Sequence, residues 1–127
     1  MNLEKVVFGF FIILAMTLNF GFVYGDLENP AHHHVYELFF AVVVNLIATV
    51  LKLGDRTQMG AVLLATSLVA VLQLFVATLV WVLAEHVTDA GLTPAATASI
   101  VSLSGGAMLA NVVSVVLLII ETVMLRR

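Results

Sequence analysis

Cysteine is absent from this chain, and charged residues are scarce. The 127 residues include no cysteine, which excludes disulfides, iron–sulfur clusters and thiolate metal sites. Charged residues make up 10% of the sequence, whereas ordinary globular domains carry about a quarter. Hydrophobic residues make up 62%, which is more apolar surface than so short a soluble domain could bury. The composition therefore predicts an integral membrane protein.

Four long apolar runs fill most of the sequence, at residues 6–24, 35–53, 59–83 and 98–123. Each is close to the twenty or so residues that a membrane-spanning helix needs, and none alternates as barrel strands do. No A-x-A cleavage site follows the first run, so we expect it to be retained as a helix rather than removed as a signal peptide. The sequence predicts an all-α, polytopic membrane protein with one domain, 1–127, and helices at about 5–24, 30–53, 58–90 and 94–125.

The basic residues predict the orientation of these helices. Lys5 precedes the first helix, Lys52 and Arg56 flank the connection between the second and third, and Arg126 and Arg127 follow the fourth. The other two connections contain neither lysine nor arginine. Because basic residues concentrate on the cytoplasmic side, we expect both termini to be cytoplasmic.

Two proline pairs and one glycine mark predicted helix ends on the opposite side. Asn29-Pro30 and Thr93-Pro94 each place a capping residue before a proline, which suits the first helical position. Gly91 is a natural C-terminal cap for the third helix. Residues 57–90 and 94–126 are longer than a bilayer requires, so the last two helices should form a hairpin that tilts or projects from the outer side.

Each of the four apolar runs contains one carboxamide: Asn19, Asn45, Gln73 and Asn111. Three of these amides belong to stripes of small and polar residues spaced by three and four, as on one face of a helix. The amides either hydrogen-bond between helices as structural clamps, or line a polar pathway for an ion or small solute. The Gly105-Gly106 pair marks either close helix packing or a kink, and we favour packing. The stripes are Glu37, Ala41, Asn45, Ala48, Thr49 and Lys52; Thr66, Ala70, Gln73, Ala77 and Ala84; and Ser104, Ala107, Asn111, Ser114 and Glu121.

Acidic residues and histidines gather on the predicted outer side. Glu37 begins the stripe of the second helix, and His33 lies one turn before it, so both side chains could reach one cation. This pair is the weak candidate for a metal site, and the alternative is a wet acidic vestibule or an interfacial rim. At the other side, we expect Glu121 to pair with a cation such as Lys52 or Arg126. The predicted outer rim comprises Asp26, Glu28, His32, His33, His34, Glu85, His86 and Asp89.

Residues 23–26, Val-Tyr-Gly-Asp, resemble the selectivity filter of a potassium channel. Such a filter needs a short pore helix before it and a full spanning helix before that. Residues 6–22 are only long enough for one span, so we interpret Gly25 as the end of the first helix and Tyr24 as an interfacial anchor.

Several small membrane proteins share this size. Small multidrug-resistance transporters have four helices, but they need a carboxylate in the middle of the first helix, and this sequence has none there. Fluoride channels have a motif rich in phenylalanine and threonine in their third helix, which is also missing. Residues 17–26, 32–39 and 50–70 resemble an uncharacterised family of small four-helix bacterial membrane proteins. That resemblance implies the bacterial inner membrane and four helices, and it implies no activity.

The sequence leaves two functional classes open. Polar stripes and an acidic rim favour a homo-oligomeric channel or passive transporter for a small cation, with assembly needed to enclose a pore. The lack of a charged residue at the bilayer centre favours a non-catalytic accessory or scaffold subunit of a larger complex. We find no nucleophile–base pair, phosphate loop or metal-hydrolase motif, so we expect no enzyme activity, no cofactor and no nucleic-acid partner.

Overall fold

The computed structural model describes residues 3–24 and 35–125, and all regular structure within them is helical. Helix α1 is Leu3–Val23, α2 is Val35–Lys52, α3 is Gln58–Val82 and α4 is Pro94–Leu125. A single wider π-helical turn, Leu83–Val87, extends α3. These four helices are long and apolar enough to cross a membrane. The all-α prediction is therefore confirmed.

Local capping explains where α3 and α4 begin. The Thr57 hydroxyl accepts a hydrogen bond from the Gly60 amide at 2.9 Å, which satisfies one of the free N–H groups at the start of α3. The Thr93 hydroxyl does the same for the amide of Ala96 at 3.1 Å. Pro94 is the first residue of α4, as the sequence predicts.

The predicted end of the third helix was too late. Regular hydrogen bonding stops after the π-helical turn, where the Thr88 amide and hydroxyl bond back to Leu83 and Ala84. Gly91 does adopt the left-handed conformation, with φ of 67°, but it lies in the connection to α4 rather than against the helix end. The Thr88 hydroxyl donates to the Ala84 carbonyl, which satisfies an acceptor that a further helical turn would otherwise use. Asn29-Pro30 lies outside the described residues.

The helices form an antiparallel bundle in which each packs against its neighbours in sequence, and α1 also packs against α4. The start of α1, the α2–α3 turn and the end of α4 meet at one end. Lys5 of α1 hydrogen-bonds Glu121 of α4 there, so we name this end, with Lys5, Lys52 and Arg56, the basic end. The opposite end is the far end. This arrangement agrees with the predicted grouping of the charges, whereas the membrane orientation stays a prediction.

The α3–α4 hairpin extends beyond α1 at the far end. Asn19 of α1 is bonded to Ser104 of α4, which fixes the relative height of the two helices. From these residues α1 continues for about 6 Å to its last residue, whereas α4 extends for about 15 Å to its first. The hairpin is therefore longer than the described part of α1 at this end, and its projection from the outer side of a membrane stays a prediction.

Two separate hydrophobic clusters make up the core. The basic-end cluster consists of Phe8, Ile12, Ala48 and Leu63. The far-end cluster is larger and contains residues of all four helices, namely Phe22, Leu38, Ala41, Ala70, Leu74, Ala77, Ile100, Val101 and Ala107. Most of the buried side chains between the two clusters on α2, α3 and α4 are polar, although Val44 and, on α1, Ala15 are also buried there.

Candidate functional site

A polar layer separates the two hydrophobic clusters in the middle of the bundle. Asn45 lies one turn from an alanine of each cluster on α2, and Ser67 lies between Leu63 and Ala70 on α3. Asn111 follows Ala107 by one turn on α4. The side chains of Asn45, Ser67 and Asn111 are fully buried, and we call these three residues the middle layer.

A hydrogen bond between α3 and α4 shows that the middle layer is level across these two helices. The hydroxyls of Thr66 and Ser114 are hydrogen-bonded, which sets the height of α3 against α4. Ser67 is one residue further along α3, and Asn111 is three residues further from the basic end on α4. At 1.5 Å per residue, the Cα atoms of Ser67 and Asn111 therefore differ in height by only about 3 Å.

The middle layer is short of hydrogen-bond partners. The Asn45 amide nitrogen donates to the Ala41 carbonyl at 2.8 Å, but its Oδ1 has no partner. Ser67 Oγ has none, and neither Oδ1 nor Nδ2 of Asn111 has one. Leaving a buried polar group unpaired costs about 1–3 kcal/mol, so four such atoms at one level call for an explanation.

A second polar layer lies closer to the far end. Ser104 donates to Asn19 Oδ1 at 3.0 Å, and both side chains are fully buried. Gln73 lies against Gly106, where a Cβ would be 2.7 Å from Gln73 Oε1. Asn19 Nδ2 and Gln73 Oε1 are buried without partners. Gly106 is thus a close-packing position, which supports packing over a kink for the glycine pair.

Glu37 lies at the far end of the same side of α2 as Asn45. Its half-buried carboxylate fills the space beside Gly21 of α1, so a Cβ on Gly21 would have to displace it. Gly21 is two residues beyond Asn19, so Glu37 lies near the far-end polar layer rather than on an exposed rim. The carboxylate therefore faces the bundle from α2 with a glycine as its neighbour.

Lys52 closes the basic end of the α2 stripe. Its side chain is 2% exposed, which is unusual for a lysine, and its ammonium lies 4.4 Å from the centre of the Phe8 ring. The Asp55 carboxylate is 3.5 Å from the ammonium. Asp55 also accepts hydrogen bonds from the Thr57 amide and hydroxyl, at 2.9 and 2.7 Å. The Thr57 bonds first, and then the Lys52 charge, hold the pKa of Asp55 below its usual value.

Glu121 pairs with a cation, as predicted, but the cation is Lys5 and not Lys52. Glu121 is almost buried and bonds to Lys5 of α1, whereas Lys52 pairs with Asp55 in its own turn. The side of α4 that carries Glu121 faces α1 at this height, so the lysine of α1 is closer than that of α2. Arg126, the other predicted partner, lies outside the described residues.

The predicted outer rim is only partly described. Glu85, His86 and Asp89 are exposed at the far end, and the His86 ring lies 5.4 Å from that of Trp81. In the described part of the chain, no group of three His, Asp or Glu side chains could hold a metal. Outside the described residues are the other predicted rim positions, Asp26, Glu28, His32, His33 and His34.

The filter-like sequence continues α1 as far as it is described. Val23 is the last residue of the helix, and the Tyr24 amide donates to the Phe20 carbonyl at 2.9 Å. Helix α1 is continuous from Leu3, so no separate pore helix precedes Val23. Gly25 and the aspartate after it lie outside the described residues.

The sequence did not indicate how deeply the side chains of Ser67 and Lys52 are buried. The stripe predicted for α3 included Thr66, which is half-buried, and passed over Ser67, which is fully buried. The helical spacing of Ser67 with Leu63, Ala70 and Leu74 could have identified it. The buried stripes predicted for α2 and α4 agree with the observed burial of Asn45 and Asn111.

Residues 32–122 match a protein family described as a family of unknown function, DUF6394. The chain belongs to the DUF6394 family. This membership confirms the predicted resemblance to an uncharacterised family, and the match includes α2, α3 and nearly all of α4. No curated protein and no solved structure matches the chain. As a DUF6394 protein the chain is thus a small, apolar, all-helical protein with four membrane-compatible helices, and its family supplies no activity.

Proposed function

We propose that this DUF6394 protein is a channel or passive transporter for a small cation in the bacterial inner membrane, with both termini cytoplasmic. The observation that carries the proposal is the middle layer: buried, uncharged polar atoms of Asn45, Ser67 and Asn111 that have no partner within the described residues. Uncharged oxygens can replace part of the hydration shell of an ion without trapping it. The proposal assigns no catalysis and no cofactor.

The polar series supports a route through the bundle of one chain. Glu37 lies near the far end, Asn19 and Gln73 follow, and the middle layer comes next, so polar groups recur from the far end to the centre. All of these side chains are buried or half-buried within the single chain. A carboxylate at the far end would raise the local concentration of cations. The sequence favoured a pore enclosed by several chains. Because the unpartnered polar atoms are buried inside one bundle, we propose instead that the route lies inside each chain and that association as a homo-oligomer supports the bundle.

The test is cation flux into liposomes that contain the purified protein and a cation-sensitive dye. We expect Asn45→Leu and Asn111→Leu to lower the flux by about tenfold each, because an intramembrane polar contact contributes about 1–2 kcal/mol. Glu37→Gln should lower the flux at low salt more than at high salt, because salt screens the attraction of a fixed charge. Gln58→Leu is the matched control, because Gln58 is exposed at the first turn of α3.

The outcomes separate the proposal from its alternatives. Flux that is retained in both asparagine variants refutes the route through the middle layer. An absence of flux from folded protein that is verified to be in the liposomes refutes transport altogether. The orientation is tested separately with Arg56→Cys and Asp89→Cys, since the chain has no cysteine of its own and both positions are exposed. An impermeant thiol reagent should label position 89 from outside intact cells and leave position 56 unlabelled.

A non-catalytic accessory subunit is the second candidate. It is favoured by the middle layer itself, because the described residues at that height include no charged side chain, whereas transporters commonly keep one near the bilayer centre. This candidate predicts that the protein copurifies from native membranes with a larger membrane partner in a fixed ratio. Isolation of the chain alone, in mild detergent and from native membranes, would count against it.

A further inference from the structure

Three of the four unpartnered atoms of the middle layer can accept a hydrogen bond, and the hydroxyl among them can also donate one. Asn45 Oδ1, Asn111 Oδ1 and Ser67 Oγ are oxygens, and Asn111 Nδ2 is the one amide donor among these unpartnered atoms. The Asn45 assignment is fixed by its nitrogen, which already donates to the Ala41 carbonyl. The layer therefore presents oxygens from three helices, α2, α3 and α4, to the interior of the bundle. A ligand that accepts electron pairs would satisfy all three oxygens.

Small side chains flank Asn45 on both sides along α2, and Ser67 and Asn111 on one side each. Ala41 and Ala48 flank Asn45 along α2, Ala70 follows Ser67 on α3, and Ala107 precedes Asn111 on α4. All four alanines are fully buried. Apart from glycine, alanine has the smallest side chain. The four alanines therefore leave these polar groups without a bulky neighbour at those positions. Larger residues occur in the clusters on either side, at Leu63 and Leu74, for example.

We propose that the middle layer is a binding site for one monovalent alkali-metal cation, with Asn45 Oδ1, Ser67 Oγ and Asn111 Oδ1 as ligands. This inference deepens the proposed function and rests on it for the choice of a cation as the ligand. Hard oxygen donors suit alkali and alkaline-earth cations rather than zinc or copper. No carboxylate lies at this height in the described residues, so the site lacks the negative charge that divalent cations require in proteins. The bound cation keeps water on its remaining positions.

The site is tested by the thermal stability of the purified protein in detergent. Melting temperatures are measured in lithium, sodium, potassium and caesium chloride, and in N-methylglucammonium chloride at the same ionic strength. A ligand that binds only the folded state stabilises it, so one of the alkali cations should raise the melting temperature by about 4 °C at ten times its dissociation constant. Equal melting temperatures in all five salts would overturn the proposal.

Two kinds of variant locate the site. Asn45→Leu and Asn111→Leu each remove one ligand oxygen, and the cation-dependent shift should disappear in both, whereas Gln58→Leu should keep it. Asn111→Asp keeps the oxygens and adds a charge. At alkaline pH, where the new carboxyl is ionised, its cation affinity should rise by at least about tenfold. A shift that persists in both leucine variants, or an aspartate variant with unchanged affinity, would overturn the assignment.

The aspartate variant also keeps the test decisive when a leucine variant fails to fold, since it retains a polar side chain of the same size. Failure of this site is distinguishable from failure of transport. Cation flux without a cation-specific thermal shift would leave the proposed function intact and refute the site. A specific shift without flux would support the site and refute transport. If water alone fills the layer, all the salts give equal melting temperatures, and the cation site is refuted.

Discussion

The buried charge of Lys52 makes Asp55 the most informative residue to change. Asp55→Asn removes the negative charge but keeps an oxygen that can accept the hydrogen bonds from the Thr57 amide and hydroxyl. The turn that begins α3 should therefore survive. What changes is that Lys52, whose side chain is 2% exposed, loses the carboxylate 3.5 Å from its ammonium. The variant isolates the electrostatic contribution of this pair.

The size of the effect follows from the burial of the two partners. Removing one partner of a fully buried ion pair costs about 3–5 kcal/mol, because the other charge remains buried and unpaired. Asp55 is not fully buried, since 16% of its side chain is exposed, so water screens part of the interaction. The Phe8 ring, 4.4 Å from the ammonium, continues to stabilise the charge. We expect Asp55→Asn to lower the free energy of unfolding by about 2 kcal/mol.

Unfolding can be followed with the single tryptophan. Trp81 is half-buried, and its ring meets that of Phe39 of α2 at 5.5 Å, so its fluorescence reports the separation of α2 and α3. The free energy of unfolding is measured in mixed micelles with increasing denaturing detergent, for the wild type, Asp55→Asn, Lys52→Met and the double variant. Methionine has about the length of the lysine stem and no charge, so Lys52→Met should change the stability little.

The double variant decides the reasoning. Once Lys52 is replaced, the loss of the carboxylate should matter little, so Lys52→Met with Asp55→Asn should be close to Lys52→Met alone. Two results would refute the argument. One is a change of less than about 0.5 kcal/mol in Asp55→Asn, the range of ordinary surface substitutions. The other is equal destabilisation by Asp55→Asn in the presence and absence of the lysine, which would show that the turn, and not the charge, is affected.

Acid should remove the same stabilisation in the wild type. Because the folded-state pKa of Asp55 lies below its ordinary value of 3.8, the unfolded state takes up the proton first as the pH falls. The contribution of the Asp55 carboxylate to the stability is complete well above pH 3.8. It is lost as the pH falls through 3.8 and then through the lower folded pKa. Unfolding measurements on the wild type and Asp55→Asn in a pH series check this, because the difference between the two proteins should shrink over that range. The glycine pair gives the other prediction: Gly106→Ala should be less stable than Gly105→Ala by about 1 kcal/mol, because its Cβ would be 2.7 Å from Gln73 Oε1 and the buried amide must move. Gly105→Ala, where nothing lies within 4 Å, should raise the stability by up to about 1 kcal/mol, and equal effects in the same unfolding assay would contradict the packing described for Gly106.

Much of the fold follows from the sequence because the bilayer leaves few alternatives. Apolar runs of sufficient length must be helical, and the charges at their ends then group by side. Burial of Asn45 and Asn111 is predictable as well, since helical periodicity relates them to the alanines of the same face. These inferences succeed because helical periodicity depends only on the sequence of one helix.

Contacts between helices were harder to predict, because they depend on how each helix is rotated and shifted against its neighbours. The bond between Lys5 and Glu121, the contact of Gln73 with Gly106 and the burial of Ser67 are all of this kind. Lys52 is a further example. A lysine at the end of a membrane helix usually extends toward the water, and only the position of Phe8 on α1 explains why this one turns inward.

The inward turn of Lys52 has a consequence for any cation that crosses the bundle. A cation that crosses the bundle passes the Glu37 carboxylate near the far end and the Lys52 ammonium near the basic end, where Asp55 balances part of the lysine charge. The two ends therefore differ in the electrostatic work needed to enter. In the transport that we propose, equal and opposite voltages would drive unequal currents, and the same chain would act as a rectifier that favours movement from the carboxylate toward the lysine.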